Sequence, residues 1–147
     1  MKVLAIASGG GHWIELLRLQ PAFEDHELVY MSTSERFAAT VPGNEYHTIP
    51  DFSRWNKLKM LSIGWKIYRK IASIQPDLIV TTGAAPGVIA LVIGKLLGAK
   101  TVWVESMCHA QKISLSGRLV KWFADRVYTQ WEHLAGPKLV YAGNIMA

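Results

Sequence analysis

The chain has 147 residues, half of them hydrophobic, and its 16 Lys and Arg against 11 Asp and Glu leave a net charge of +5. This length predicts a single domain, residues 1–147, with a core large enough to fold without disulfides or metal ions. The one cysteine, Cys108, excludes an intramolecular disulfide and fits a reducing compartment. The apolar run 3–7 is too short for a signal peptide. The uncharged run 78–94 contains glycines and a proline, which are typical of a buried strand, loop and helix rather than a membrane span.

Short apolar runs rich in β-branched residues alternate with longer stretches of helical periodicity. This alternation predicts an α/β fold, a single Rossmann-like, doubly wound and mainly parallel sheet. The predicted strands are 2–7, 27–31, 45–49, 77–82, 101–105, 126–130 and 139–141. The predicted helices are 12–20, 35–40 (short), 54–73, 86–97 and 115–124.

Three loops follow the carboxyl ends of predicted strands, at 9–12, 83–87 and 105–109. Ligands of doubly wound sheets bind beyond the carboxyl ends of the strands. We therefore expect these three loops to share one rim.

The first loop, Ser8-Gly9-Gly10-Gly11-His12, combines a close backbone approach with a helix N-terminus, which favours phosphate. Its spacing matches neither the dinucleotide fingerprint nor the P-loop, so it names no ligand, and a simple tight turn remains the alternative. His12 has the chemistry of a general base or a phosphate ligand, because imidazole changes charge near neutral pH. A capping or packing role for His12 stays equally open.

The other two loops carry further candidates. Glu105 directly follows an apolar strand, where a carboxylate is costly to desolvate without a partner, so it indicates a hydroxyl-binding or basic role. A structural salt bridge or a capping role is the alternative. Cys108 and His109 are adjacent and lack a supporting triad pattern, so we do not expect a nucleophile and base there.

The segment 54–70 carries six of the sixteen basic residues and no acid. Large aromatic side chains recur beside its lysines at helical spacing, a pattern typical of helices that lie in a lipid headgroup layer. The alternative is that the aromatics pack on the sheet. Nucleic acid is not an expected partner, because no groove-reading motif is present. The predicted membrane-binding residues are Trp55, Lys57, Leu58, Lys59, Leu61, Trp65 and Lys66.

The pattern Ser8-Gly9-Gly10-Gly11-His12, followed by Glu15-Leu16, resembles the opening motif of the Alg14 family. That family comprises the membrane-bound subunit of a two-chain N-acetylglucosaminyltransferase and bacterial exopolysaccharide and capsule relatives of the PssD and CpsF type. More distantly, the layout resembles the N-terminal half of MurG-like GT-B glycosyltransferases. Further matching stretches follow in the family's order along the whole chain, at 76–83, 86–87, 102–106, 124–125, 130–132 and 141–143.

The resemblance implies that the active site is divided between two chains. This chain would bind a polyprenyl-diphosphate-linked saccharide at the membrane. No cofactor is expected on it, because the UDP-sugar donor belongs to a partner subunit of the Alg13 or PssE type. In the eukaryotic members an N-terminal membrane helix anchors the subunit. We do not expect such a helix here, which moves the membrane-binding role to the segment 54–70. The residues expected to bind the acceptor and its diphosphate are Ser8, Gly9, Gly10, Gly11, Gly83, Pro86 and Gly87.

The same resemblance implies an inverting transfer of a hexosyl or hexuronosyl group. His12 or Glu105 would deprotonate or position the acceptor hydroxyl, with His12 favoured as the catalytic group and Glu105 as the acceptor contact. The lack of an Asp-x-Asp motif agrees with a metal-independent reaction. Gln130 and Trp131 are expected at the partner interface, because an aromatic side chain near the missing second half would otherwise face solvent.

The sequence therefore predicts an acceptor-binding glycosyltransferase subunit that acts in exopolysaccharide, capsule or lipid-linked oligosaccharide biosynthesis. We expect a heterodimer, peripheral at the cytoplasmic face of the inner or plasma membrane. Two alternatives remain open. One is a non-catalytic scaffold that docks on the membrane and activates a catalytic partner. The other is an independent nucleotide-binding module.

Overall fold

A computed structural model of the chain describes residues 1–51 and 57–145. In these residues all strands belong to one parallel sheet with the order β3-β2-β1-β4-β5-β6-β7. The predicted doubly wound α/β fold is therefore confirmed. The strands are β1 (Lys2–Ile6), β2 (Glu27–Ser32), β3 (Glu45–Thr48), β4 (Leu78–Thr81), β5 (Lys100–Val104), β6 (Arg126–Thr129) and β7 (Val140–Tyr141).

The helices lie on the two faces of this sheet. The α-helices are α1 (Gly11–Arg18), α2 (Lys57–Ile74), α3 (Ala84–Leu96) and α4 (Leu115–Val120). The order of the strands reverses between β1 and β4, and right-handed crossovers then place α1 opposite α2, α3 and α4. Short 3₁₀ helices occupy Gln20–Phe23, Glu35–Thr40 and Glu132–Leu134.

An aliphatic core fills the space between the sheet and the helices α2, α3 and α4. From α2 it takes an isoleucine stripe, Ile63, Ile67 and Ile71, which is almost fully buried against the strands. The spacing of four residues puts these side chains on one face of the helix. The sheet therefore holds α2 through isoleucine, which leaves the tryptophan of this helix for another surface.

A second core, on the opposite face, centres on Trp13 of α1. Its ring stacks on Phe37 at 5.1 Å and meets the edges of Tyr30 and Tyr46 at 5.6 and 6.0 Å. Its Nε1 donates a hydrogen bond to Thr40 Oγ1 at 3.0 Å. Burying one large aromatic residue contributes about 2–3 kcal/mol, so Trp13 fixes α1, and with it the glycine loop, on the sheet.

The predicted elements appear in the predicted order, with differences at their ends. The helix predicted over 115–124 ends as an α-helix at Val120. The chain must leave the helix early because the Asp125 carboxylate accepts hydrogen bonds from the Thr101 backbone N–H at 2.8 Å and from the Thr101 hydroxyl at 3.0 Å. Of the helix predicted over 54–73, residues 54–56 lie outside the described residues, and α2 runs to Ile74.

The same carboxylate should make the stability of the fold depend on pH. Lys95, whose Nζ lies 2.8 Å from Oδ1, and the hydrogen bonds from Thr101 lower the pKa of Asp125 from 3.8 to about 2, against the effect of partial burial. A lowered pKa stabilises the fold above about pH 4, and this contribution is lost as the pH falls through about 2. Asp125→Asn should therefore lower the free energy of unfolding by about 1 kcal/mol at neutral pH, a value reduced for solvent screening, and by much less near pH 2.

Urea unfolding of the wild type and the variant over this pH range measures the difference. Asp25→Asn, which changes an exposed carboxylate in the turn before β2, is the matched control and should behave as the wild type. A difference between the wild type and Asp125→Asn that stays constant with pH would contradict the assignment.

Candidate functional site

The glycine loop leads from the buried end of β1 into α1. Gly10 has φ +70°, in the left-handed region where a side chain is strained, and it caps α1 without any side-chain hydrogen bond. A Cβ at Gly10 or Gly11 would meet no atom within 4 Å, whereas one at Gly9 would touch the ring of Phe37. The first turn of α1 contains no acid. Its backbone N–H groups thus have no capping side chain, and such groups suit an anion.

His12 joins this loop to the end of β4 through two reciprocal hydrogen bonds. Its Nδ1 lies 3.0 Å from the Thr82 carbonyl oxygen, and the Thr82 hydroxyl donates to the His12 carbonyl oxygen at 2.6 Å. Because a carbonyl oxygen only accepts, Nδ1 carries the proton, and in the neutral ring Nε2 holds the free lone pair. A Cβ at Gly83 would lie 2.7 Å from Cε1 of His12, so the imidazole occupies space that only glycine leaves open.

The second loop, residues 83–87, combines unusual backbone angles with close packing against β4. Gly83 has φ +138° and caps α3 without a side-chain hydrogen bond, and Ala84 follows at φ +69°, which is rare for a residue with a side chain. Pro86 and Gly87 are buried, and a Cβ at Gly87 would collide with the Thr81 hydroxyl. Pro86 and Gly87 thus pack the first turn of α3 against β4, and their role in binding the acceptor stays a prediction.

Glu105 is buried and fully occupied by contacts within the chain. Its Oε2 accepts a hydrogen bond from the Trp103 indole at 2.8 Å, and its Oε1 accepts one from the Ser114 backbone N–H at 3.1 Å, with His109 Nε2 at 3.7 Å. A Cβ at Gly117 would collide with its carboxylate. These contacts place Glu105 against the start of α4. The carboxylate therefore holds the rim in position, and its oxygens are already hydrogen-bonded within the chain instead of pointing to an acceptor.

Glu15 belongs to the site but received no role from the sequence. Its Oε1 accepts hydrogen bonds from the Met107 backbone N–H at 2.8 Å and the Ser106 hydroxyl at 3.3 Å, which ties α1 to the loop after β5. Its Oε2 is buried and has no hydrogen-bond partner among the described residues. The sequence signals were its place in the Alg14-like motif and an acid among apolar positions of a helix, one turn after the glycines.

Gln130 and Trp131 hold the rim together from the side of β6. The Gln130 amide donates to the Glu105 carbonyl oxygen at 3.1 Å and accepts from the Ile145 backbone N–H at 3.1 Å. The Trp131 indole donates to the Met107 carbonyl oxygen at 2.9 Å. Gln130 is buried and Trp131 is half-buried, so part of the tryptophan is covered within the chain and the partner contact stays a prediction. The indole is held by the rim itself.

The residues predicted to bind a membrane lie on the outer side of α2, as far as they are described. Leu58, Leu61 and Trp65 are 78%, 72% and 60% exposed, and Trp65 stacks on Tyr68 at 5.5 Å. The alternative that this tryptophan packs on the sheet is therefore wrong. Lys59 and Lys66 are exposed beside these residues, Lys57 begins α2, and Trp55 lies outside the described residues.

An apolar groove of about 460 Å³ lies on the α1 face of the sheet. Its floor consists of β4, β5 and β6, and its sides are the 3₁₀ helix Gln20–Phe23 and the segment 142–145. Gln130 lines the groove beneath this segment. The floor residues are Leu78, Val80, Val102, Val104 and Tyr128.

The described residues contain neither a membrane-spanning helix nor a cluster of metal ligands. Over residues 1–51 and 57–145, no helix is both long and apolar enough to cross a bilayer. In the same part of the chain, no group of three His, Cys, Asp or Glu residues is placed to hold a metal ion.

Comparison with known proteins agrees with the fold and identifies the family. The family model "Oligosaccharide biosynthesis protein Alg14 like" matches residues 53–145. The UDP-N-acetylglucosamine transferase subunit ALG14 of Homo sapiens is 30% identical, over 99% of this chain and 83% of that protein, and its counterpart in Mus musculus is 28% identical with the same coverage.

Solved structures of larger proteins show the same fold over part of their length. MurG of Acinetobacter baumannii superposes with a TM-score of 0.78 at 15% identity, over 96% of this chain and 45% of that one. The UDP-N-acetylglucosamine 2-epimerase of Rickettsia bellii gives 0.71 at 15% identity, over 99% and 45%. This chain thus spans a little under half the length of these two proteins. On the family model and the similarity to the ALG14 subunits, the chain belongs to the Alg14-like family of oligosaccharide biosynthesis proteins.

Proposed function

We propose that the chain is the acceptor-binding subunit of a two-chain UDP-sugar glycosyltransferase. The acceptor is a polyprenyl-diphosphate-linked saccharide, and the product enters exopolysaccharide, capsule or lipid-linked oligosaccharide biosynthesis. The observation that carries this proposal is a histidine fixed between two open helix N-termini, with Nδ1 on the Thr82 carbonyl oxygen and the ring against Gly83. Relatives named as transferase subunits, and a related N-acetylglucosamine transferase acting on a pyrophosphoryl-undecaprenol substrate in Rhizobium meliloti, support the reaction class.

The diphosphate of the acceptor binds at the N-termini of α1 and α3. Neither helix has a side-chain cap or an acid in its first turn, so the backbone N–H groups and the helix dipoles present partial positive charge to the rim. The Gly10-Gly11 step gives the closest approach, because a Cβ at either position would meet only open space. Ser8 and Gly9 lie at the base of the same loop.

His12 acts as the general base. The Thr82 carbonyl oxygen holds the ring with Nδ1 protonated, which leaves Nε2 to accept the proton of the acceptor hydroxyl. As that proton leaves, the oxygen attacks the anomeric carbon of the sugar. The bond to UDP breaks on the opposite side, and the configuration inverts. The same carbonyl oxygen stabilises the imidazolium that forms.

Glu105 and Glu15 hold the rim around this base. Glu105 fixes the start of α4 through Ser114, and Glu15 fixes the loop after β5 through Met107. Both carboxylates are buried, which orders the backbone that faces the acceptor. A direct contact between Glu105 and the acceptor requires its present hydrogen bonds to rearrange.

The donor arrives on a second subunit of the Alg13 or PssE type, which docks at the apolar groove on the α1 face. The groove presents Leu78, Val102 and Tyr128 half-buried, a surface that an apolar partner segment would complete. At the edge of this groove, Gln130 and Trp131 hydrogen-bond to the backbone of Glu105 and Met107. A partner that docks there would therefore contact residues that hold the loop after β5.

The subunit associates peripherally with the cytoplasmic face of the membrane through α2. Leu58, Leu61 and Trp65 supply the apolar side chains, and Lys59 and Lys66 supply positive charge beside them. Basic amphipathic helices of this kind settle at the headgroup level of anionic bilayers.

A non-catalytic scaffold is the second candidate, and the burial of Glu105 favours it because one of the two predicted catalytic groups is occupied within the chain. The two functions differ at His12. With the second subunit, UDP-N-acetylglucosamine as first donor and a polyprenyl-diphosphate acceptor, His12→Asn should lower kcat by about 100-fold or more, because Asn keeps a donor for Thr82 but removes the base. Subunit binding should stay unchanged.

His47→Asn is the control for this variant, since it changes a histidine on the edge strand β3, which β2 separates from β1 and the glycine loop. Full turnover of His12→Asn in the intact complex would rule out His12 as the base and leave the scaffold function. Loss of turnover in His47→Asn as well would show that the assay reports folding.

Gly83 is expected to be as sensitive as His12, for a steric reason. Gly83→Ala introduces a Cβ 2.7 Å from His12 Cε1 at φ +138°, so the imidazole must move. We expect a stability loss of about 1–3 kcal/mol and a fall in kcat of about tenfold or more. Thermal unfolding and turnover measure the two effects. Gly136→Ala is the control, because a Cβ there meets nothing within 4 Å; equal effects of both substitutions would contradict the clash.

A charge introduced at the edge of the groove tests whether the second subunit docks there. Ala22 is exposed and lines the groove, so Ala22→Glu should leave the fold intact and weaken binding of the second subunit by about tenfold or more, since its carboxylate would be desolvated in the complex. Titration calorimetry or co-purification measures the loss. Ala39→Glu, an exposed alanine outside the groove, is the matched control; unchanged affinity of the Ala22 variant would place the partner elsewhere.

A further inference from the structure

Charge is divided unevenly between the two helical layers. The helices α2, α3 and α4 carry seven Lys and Arg and no Asp or Glu. On the opposite face, α1 and the 3₁₀ helices Gln20–Phe23 and Glu35–Thr40 carry two acidic and two basic residues. The net positive charge of the chain is therefore concentrated on one side of the sheet.

The same layer exposes large apolar side chains on every one of its helices, beyond those of α2. Leu96 near the end of α3 and Leu115 at the start of α4 are each 81% exposed, and Trp122, just after α4, is 79% exposed. Leu115, Leu119 and Trp122 recur at helical spacing, so they project from one side of α4. The predicted membrane-binding set did not include any of these residues.

These side chains lie on neighbouring helices of one layer, because α3 contacts both α2 and α4. We call this surface the three-helix face, and define it by Leu61, Trp65, Val92, Leu96, Leu115, Leu119 and Trp122. An exposed apolar surface bordered by charge marks an interaction site.

The chemistry of the three-helix face fits a lipid bilayer better than a protein. Protein interfaces are depleted of lysine, whereas interfacial helices pair tryptophan and leucine with lysine and arginine. Lys138 Nζ lies 4.5 Å from the centre of the Trp122 ring, so an aromatic ring and a cation share one position, as suits the headgroup level. Exposed Arg118 and half-exposed Lys121 add charge beside Leu119 and Trp122.

We propose that the whole three-helix face, and not α2 alone, lies on an anionic bilayer, with α4 as a second anchor. This inference rests on the membrane association proposed above and extends it. Two anchors fix the rotation of the domain, which a single helix leaves free. The sheet then lies along the membrane, with its carboxyl edge about one helix diameter, about 10 Å, above the lipid surface. At that height a membrane-held diphosphate reaches the N-termini of α1 and α3.

Vesicle flotation of the complete complex tests the second anchor. The vesicles contain phosphatidylcholine and phosphatidylglycerol, with phosphatidylcholine alone for comparison. Leu119→Gln/Trp122→Gln changes exposed residues of the α4 anchor, and Leu61→Gln/Trp65→Gln changes the α2 anchor. We expect each pair to weaken association by about tenfold, and the four changes together to weaken it by about the product of the two, because separate contacts contribute additively in free energy.

A matched pair of charge reversals separates a local contact from net charge. Arg118→Glu/Lys121→Glu alters α4, and Arg18→Glu/Arg36→Glu alters the opposite face by the same net charge. Each cation near an anionic surface strengthens association about fivefold, so the α4 pair should weaken binding by about 25-fold or more and the control pair by far less. Circular dichroism and thermal unfolding should be unchanged in all four double variants, which shows that they are folded.

The outcomes distinguish this inference from the function on which it rests. If the α2 changes weaken flotation and the α4 changes do not, the second anchor is wrong and peripheral association through α2 stands. If neither pair matters, both proposals of membrane contact fail. If the α4 changes leave flotation intact but abolish binding of the second subunit, the three-helix face binds protein and the lipid assignment is overturned.

Discussion

The paired hydrogen bonds between His12 and Thr82 are the contact on which the site depends. They join the loop after β1 to the end of β4, the two neighbouring strands between which the order of the sheet reverses. At such a reversal the flanking helices leave toward opposite faces and a crevice opens between their N-termini. The pair spans this crevice, so the imidazole is fixed where two helices direct partial positive charge. Gly83 is the condition for this contact, because any side chain there would occupy the space of the ring.

Much of this arrangement follows from local pattern. The alternation of strands and helices can be predicted from short stretches of sequence. The apolar sequences of β4 and β5 indicate strands that are covered on both faces. Parallel strands place their carboxyl ends together, so the meeting of the loops at 9–12, 83–87 and 105–109 required only the topology. The buried face of α2 was harder to predict, because this helix has two apolar faces and either could pack on the sheet. In the structure Ile63, Ile67 and Ile71 pack against the sheet, and Leu61 and Trp65 are exposed.

What the sequence could not supply are contacts between distant segments. Glu15 and Met107 are 92 positions apart, and nothing in either neighbourhood predicts that they meet. Glu105 was predicted as a site residue from the cost of its burial, and the burial is real, yet its partners Trp103 and Ser114 meet that cost inside the chain. The burial of a charge indicates that a partner exists and does not say whether the partner is protein or ligand. Pro86 and Gly87 show the same ambiguity, since small residues at a helix start serve packing and binding alike.

The two faces of the sheet expose different surface chemistry. The α1 face is charge-balanced and carries a groove with Val80 and Val104 in its floor, an apolar surface that a protein segment can cover without leaving a cation unpaired. The three-helix face mixes Leu, Trp and Lys, and covering it with protein would desolvate its ammonium groups at a cost that lipid phosphates offset. The rim with His12 lies between these two surfaces. Under the proposed function, an acceptor carried by the membrane and a donor carried by a partner would meet at the imidazole. An in-line displacement then requires the acceptor oxygen and the UDP leaving group to lie on opposite sides of the anomeric carbon.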